Sequence, residues 1–279
     1  MKENEWGQRL LKHQYPAIVF RFPWLIQLFF YWNRLTTLRT WYVHQAIRQE
    51  MRKQPYQILD IGVGEGQYLW WMKRKWPQKE YTAIDKHYPH LVFADFYRTY
   101  KSYEHITLTL ADVEWIGVEN MADFAICVGV LQYVNDDEEA LKNMYKLLNP
   151  GGSLLLYVPV NGKTLFACYR RWITSLPNYE LLQMRKRIDQ PEEVLRKVSD
   201  AGFELVYQKN TYGKWGIAAY ELYNGLFYGV LYGKRGRKLV SGVLLLFILP
   251  LLGLMMGIDF LGKRKEGNGL LMVLKKGIG

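Results

Sequence analysis

Cysteine is scarce: the 279 residues hold two, Cys127 and Cys168. Two thiols build no disulfide framework, and Cys127 sits in an apolar, strand-like run that suits a core thiol better than a nucleophile. The five histidines and two cysteines fall at no metal-ligand spacing. Residues 1–15 are polar and charged, so no cleavable signal peptide is expected and a cytoplasmic catalytic domain is. Zinc-finger, RNP and helix-turn-helix signatures are missing as well, which leaves the net charge of +11 without a nucleic-acid reader. The basic residues gather instead beside apolar segments, so the expected charged partner is an anionic membrane surface.

One further absence is informative. The stretch Ile58-Leu59-Asp60-Ile61-Gly62-Val63-Gly64-Glu65-Gly66 reads as a buried parallel strand, a tight glycine turn and a helix opening near Gln67. Its glycines have the spacing G-x-G-x-G. A dinucleotide fingerprint would place its third glycine where Gln67 stands, so a nicotinamide oxidoreductase is disfavoured. Asp60, two residues before the first glycine, suits a ligand with a positive amino group better than a pyrophosphate.

Beyond Gln67 the chain alternates between strand-like and helix-like segments, which implies a mainly parallel sheet. Strands are expected at 57–61, 81–85, about 105–110, within Ala122–Val134, at 153–158, after Gly202 and at 269–274. Helices are expected over about 66–75, 88–102 and 191–200, the last with Pro191 at its start and Glu192 and Glu193 in its first turn.

The glycine stretch resembles motif I of the class I S-adenosylmethionine-dependent methyltransferases. Ala122 to Val134 is similar to that family's fourth motif, and Leu148-Asn149-Pro150-Gly151-Gly152 to the turn that often precedes its fifth strand. Four ordered matches span about residues 57–158. The resemblance implies a Rossmann-like α/β fold of seven mainly parallel strands, the last antiparallel between the fifth and sixth, and S-adenosylmethionine as cofactor. It implies that Asp60, Gly62, Gly64 and Gly66 lie at the methionine part. Asp85, closing the second strand, then takes both ribose hydroxyls, since an ionised carboxylate is acceptor-only. Asp112 and Val113 read the adenine, and Val130 lies beside the methyl group. Tyr133 and His87 are the catalytic-base candidates, with His90 a third. Where the acceptor is already nucleophilic, none is needed.

Around this core, at 55–210, four regions are expected. Residues 1–54 form a helical, aromatic region whose stripe Trp24, Leu28, Tyr31, Leu35, Leu38 and Tyr42 recurs at helical spacing, either packed on the core or lying at a membrane interface. An insertion at 161–190 shapes the acceptor pocket. Residues 211–266 form an apolar helical insertion, and 267–279 carry the last strand. Within the apolar insertion, Leu239 to Ile258 are 20 uncharged residues between basic flanks. The length permits a span, but one crossing would separate the last strand from its sheet. A shallow hairpin or interfacial helix at the cytoplasmic face is therefore expected.

The function expected is methyl transfer to a hydrophobic, lipid or lipid-linked acceptor at the membrane surface. A soluble small-molecule methyltransferase with a helical lid, and an inactive cofactor-binding tether, are the alternatives. Nucleic-acid methylation is disfavoured because Gly129-Val130-Leu131-Gln132 stands where an Asn/Asp-Pro-Pro-Tyr motif belongs.

Overall fold

The computed structural model describes residues 16–175, 189–232 and 235–278. The polar start at 1–15, residues 176–188 of the first insertion and Lys234 lie outside the described residues. The strands are β1 Gln57–Ile61, β2 Glu80–Asp85, β3 Ile106–Leu110, β4 Ala122–Val128, β5 Leu148–Pro159, β6 Glu204–Thr211 and β7 Gly269–Lys275. They form one sheet in the order β3-β2-β1-β4-β5-β7-β6. β7 runs antiparallel to both β5 and β6, and the strands from β3 to β5 pair in parallel. This is the Rossmann-like methyltransferase architecture expected.

The helices are α1 Ala17–Arg21, α2 Trp24–Thr36, α3 Leu38–Glu50, α4 Gln67–Lys75, α5 Tyr88–Lys101, α6 Asp137–Leu147, α7 Ala167–Ser175, α8 Pro191–Asp200, α9 Lys214–Tyr232 and α10 Arg235–Leu261. Alternate side chains of each strand feed opposite faces. On one face Ile58, Tyr81, Phe124, Ile126, Leu155 and Val273 pack under α3, α4, α5, α9 and α10. On the other, Leu59, Ile61, Cys127, Leu154, Leu156 and Met272 pack under α6 and α8. Each fully buried aliphatic side chain contributes roughly 1.5–3 kcal/mol. Asp136 caps α6 by accepting from the Glu139 amide at 2.9 Å, with Asp137, Glu138 and Glu139 in the first turn.

Three local expectations need correction. The N-terminal stripe is not one helix: it breaks at Thr37, which is extended. Leu38 and Tyr42 enter the core at 1% exposure, but Trp24, Leu28, Tyr31 and Leu35 of the same stripe are 45–64% exposed. The fourth strand ends at Val128, and Leu131–Tyr133 is a 3-10 turn. Asn149 to Gly152 is no separate turn but an irregular start of β5, where the pairing with β4 shifts register between Ala122 and Phe124.

After β6 the chain leaves the sheet, runs out along α9, returns along α10 and re-enters as β7. The return is fastened by Asp259, which is fully buried inside an otherwise apolar helix. The Tyr42 hydroxyl donates to its carbonyl at 2.7 Å and to its carboxylate at 2.9 Å, the Gly216 amide donates at 2.7 Å and the Arg264 Nε at 3.2 Å. Glu221 of α9 likewise accepts from the Leu165 and Phe166 amides, both at 2.8 Å, just ahead of α7. Asp259→Ala leaves the buried Gly216 amide and the Arg264 Nε without their carboxylate, while the Tyr42 hydroxyl keeps the main-chain carbonyl. It should cost about 3 kcal/mol and lower the Tm by roughly 6–12 °C. Leu261→Ala, at an exposed position on the same helix, should leave the thermal melt within about 0.5 kcal/mol of the wild type.

Candidate active site

The carboxyl ends of β1, β2 and β4 and the loop after β3 open into one cleft of about 770 Å³. Asp60, Gly62, Gly64, Asp85, His87, His90, Asp112, Val113, Val130 and Tyr133 all line it. Gly66 does not. It caps α4 behind the cleft, packed against Trp70. At Gly62, φ is +70°, and a Cβ would lie 2.3 Å from the Val130 side chain, so only glycine lets the first loop meet the end of β4.

Asp85 organises the glycine loop. Its Oδ2 accepts from the Gly64 amide at 2.9 Å and lies 3.2 Å from His90 Nδ1, and its Oδ1 accepts from the His87 amide at 2.8 Å. Burial alone would raise this carboxyl, but the hydrogen bonds from His90 and the two amides outweigh it and hold it below the usual range. The same contact holds His90 above its ordinary value. A carboxylate offers about four acceptor positions, and three are in use. Gripping both ribose hydroxyls, as expected from sequence, therefore requires the His90 ring to give way.

Asp112 receives the Glu114 amide at 3.1 Å and has Lys86 at 3.8 Å. Glu114, which the sequence reading passed over, fixes this loop: its buried carboxylate accepts from the Asn135 and Asp136 amides, both at 2.9 Å. The loops after β3 and β4 are thereby held together. Tyr133 is half-buried and His87 exposed at the rim.

Asp60 and Arg39 decide what the inner end of the cleft can hold. Asp60 is 4% exposed, and its Oδ2 is buried without a hydrogen-bond partner. Burial, and then the nearby Asp85, push its carboxyl up to about 8. Arg39, from α3, is the residue the sequence reading missed. It reaches the cleft from outside the sheet, and its Nε is also buried and unpartnered. At Gly129, φ is +72°, and a Cβ would stand 2.9 Å from the Arg39 guanidinium. The phenols of Tyr68, Tyr212 and Tyr157 surround the group, and its own amide donates to the Tyr212 hydroxyl at 3.0 Å. A buried carboxyl with one unpartnered oxygen and a buried guanidinium with one unpartnered nitrogen, lining one cleft, complement an α-amino acid zwitterion. The residues present thus fit the methionine part of S-adenosylmethionine, Asp60 taking the ammonium and Arg39 the carboxylate.

Three measurements check this. The folded chain keeps a proton on Asp60 that the unfolded chain, with the ordinary value near 3.8, has lost. Ligand-free stability should therefore fall as pH rises from about 4 to 8, and Asp60→Asn should flatten that fall. An ammonium docking there should expel the proton, so binding heats at pH 7 should differ between Tris and phosphate buffers for the wild type and agree for Asp60→Asn. Arg39→Ala should weaken S-adenosylmethionine at least tenfold by calorimetry, as for a lost charge-assisted hydrogen bond of roughly 1.5–3 kcal/mol. It should leave the decarboxylated cofactor unaffected, and equal losses for both ligands would contradict the assignment.

Comparison with known proteins places the core of the chain. Residues 59–154, from β1 to β5, match the family described as methyltransferase domain. A malonyl-[acyl-carrier protein] O-methyltransferase of Priestia megaterium is 30% identical over 131 residues, 45% of this chain and 47% of that protein. A protein of the same name from a Paenibacillus species is 25% identical over 56% of this chain and 60% of its own length. A tRNA U34 carboxymethyltransferase of Sulfurovum is 32% identical over 35% of the chain and 32% of that protein. The chain thus spans about half the length of the curated relatives it matches. Among solved structures, Haemonchus contortus phosphoethanolamine N-methyltransferase 2 with S-adenosyl-L-methionine superposes with a TM-score of 0.54 at 16% identity, over 80% of this chain and 49% of that one. The [4+2]-cyclase SpnF superposes at 0.53 with 17% identity, over 80% and 75%. These structural likenesses show the fold alone. Residues 59–154 thus carry a methyltransferase domain, in a sheet of the order expected of the class I S-adenosylmethionine-dependent methyltransferases.

Proposed function

We propose that this chain transfers a methyl group from S-adenosylmethionine to a hydrophobic, lipid-linked or acyl-carrier-bound acceptor at a membrane surface. The observation that carries the surface is α10. Val240, Val243, Leu244, Phe247, Leu251, Leu254, Ile258 and Leu261 recur at helical spacing and are all exposed, Phe247 by 81%, whereas Leu245, Leu252 and Met256 on the opposite side are buried. The exposed stripe covers 22 positions, about 33 Å of helix. α2 packs against α10 and adds exposed Trp24, Leu28, Phe29 and Leu35. Basic residues Arg235 and Lys238 stand at one end of α10 and Lys263, Arg264 and Lys265 beyond the other. A continuous apolar face with cationic ends suits an interfacial helix. α10 is also long and apolar enough to cross a membrane. Buried Asp259 and the return of β7 to the sheet favour an orientation along the surface instead.

The cofactor supplies an activated methyl on a sulfonium. The protein's own work is to hold the zwitterionic tail with Asp60 and Arg39, anchor the sugar and base at Asp85, Asp112 and Val113, and exclude water from the end of β4. Tyr133 stands at that end and His87 at the rim, so Tyr133 is the better placed to accept a proton from a hydroxyl acceptor. A carboxylate acceptor, the kind the name of the Priestia relative gives for that protein, needs no base.

The test is formation of S-adenosylhomocysteine with two acceptor sets, a membrane lipid extract and malonyl-loaded carrier protein, alongside vesicle co-sedimentation. Turnover with either set is expected, as is vesicle binding that Leu244→Glu with Phe247→Glu abolishes while cofactor affinity is kept. Turnover on carrier protein with no vesicle binding would remove the membrane from this reading. No turnover on either set by a cofactor-binding protein would favour the inactive tether.

A further inference from the structure

A second, smaller cavity lies under α2. Tyr31 and Arg34 of α2, Thr40 and His44 of α3, and Gln67 and Arg74 of α4 are among its lining residues, and its volume is about 50 Å³. One ordered water needs about 10–15 Å³ on this measure, so several water-sized groups fit. Gln67 also lines the cofactor cleft, so the two spaces adjoin.

Two independent observations point to an anionic occupant. Thr40 Oγ1 and His44 Nε2, both able to donate, are buried with no hydrogen-bond partner, and Thr40 and His44 are 3% and 6% exposed. Buried polar groups of folded proteins are nearly always paired, so two donor-capable orphans around one space mark a place that something polar fills. The second observation is charge. Arg34, Arg48, Arg74 and Lys75 surround His44, and among the described residues no carboxylate lies within ion-pair distance of any of the four. Aromatic groups hold them in place: Arg74 donates to the Tyr31 hydroxyl at 2.9 Å, and Arg48 and Lys75 lie 5.6 and 5.5 Å from the Trp71 ring centre. His44 stacks on the same ring at 3.9 Å. Burial, and then these four cations, push the imidazole down to about 3, and burial with Arg48 and Arg34 lowers Lys75. The cluster repels itself, and a multivalent anion relieves that repulsion.

We propose that this cavity binds a phosphate group, with Arg34 and Arg74 as its charge partners and the Thr40 hydroxyl and His44 ring as its neutral ones. Two sources share that chemistry, a phosphorylated lipid headgroup and a free phosphate ester. The site itself stands without the membrane reading. The lipid source rests on it, because α2 also carries exposed Leu28 and Leu35.

The test uses the full chain and the double variant Arg34→Gln/Arg74→Gln, titrated by calorimetry at low ionic strength with inorganic phosphate and with glycerol 3-phosphate. Neither arginine lines the cofactor cleft, so unchanged S-adenosylmethionine affinity certifies the fold of the variant. Saturable wild-type binding that falls at least tenfold in the variant supports the site. No saturable binding by the wild type, or equal binding by both proteins, overturns it. Co-sedimentation with phosphatidic acid vesicles then separates the sources. A tenfold loss in the variant assigns the lipid headgroup. Free-phosphate binding that is lost while vesicle binding is unchanged assigns the soluble ester. Wild-type protein that binds phosphate but no vesicle keeps the site and sinks the membrane reading.

Discussion

The buried carboxylate of Asp259 is the interaction on which the outer half of this protein depends. A carboxyl group buried in the apolar part of a 27-residue helix is costly unless fully satisfied. Here a phenol, an amide and a guanidinium satisfy it, and they come from α3, α9 and the loop before β7. The α9–α10 hairpin, the N-terminal helices and the last strand are thereby fixed to one another. Tyr42, which donates to Asp259, lies one helical turn from Arg39, which enters the cofactor cleft. The same knot that docks the apolar hairpin thus positions a cation among the cofactor residues.

The cleft itself works by withholding partners. Asp85 has three of its acceptor positions taken by the Gly64 and His87 amides and the His90 ring, which makes it a structural clamp. Asp60 and Arg39 each keep a buried atom unpaired, and the desolvation cost of that arrangement is what a zwitterionic ligand relieves. A charge pair that satisfied itself would bind nothing. The small cavity under α2 repeats the pattern with one sign of charge: Arg34 and Arg74 line it, and the Thr40 hydroxyl and His44 Nε2 lack partners.

The central half of the fold was readable because its signals are local. A parallel strand buried on both faces reads as an apolar run, as Ile58–Ile61 does, and the glycine spacing after it marks a close backbone approach to a ligand. The placement of β7 was legible too, since a strand-like run after a basic-flanked apolar stretch has few places to go. The sequence misled where a pattern has two physical solutions. The stripe from Trp24 to Tyr42 has helical period whether its apolar side meets the core or solvent. Only the extended residue Thr37 sends Leu38 and Tyr42 inward and leaves Trp24, Leu28, Tyr31 and Leu35 outside. Arg39 and Glu114 left no trace because their roles arise from contacts across the chain: Arg39 with Gly129 at a separation of ninety residues, Glu114 with the loop after β4.

These features share one face of the sheet. α2, α3, α4, α9 and α10 all pack on the side opposite α6 and α8. That side carries the exposed apolar stripe, the cation cluster and Arg39, while the opposite side carries an ordinary two-helix cover with a buried Lys197–Asp137 pair at 2.7 Å. A methyltransferase acting on a freely diffusing small molecule has no use for a 33 Å exposed apolar stripe of the length α10 implies at about 1.5 Å per residue. Such a stripe is an aggregation hazard unless something apolar covers it. Placing that hazard on the layer that also supplies Arg39 ties whatever covers the stripe to the helix that completes the cofactor site. The amphipathic acceptor proposed above would meet both requirements, its apolar part lying along α10 and α2 and its reactive group at the end of β4.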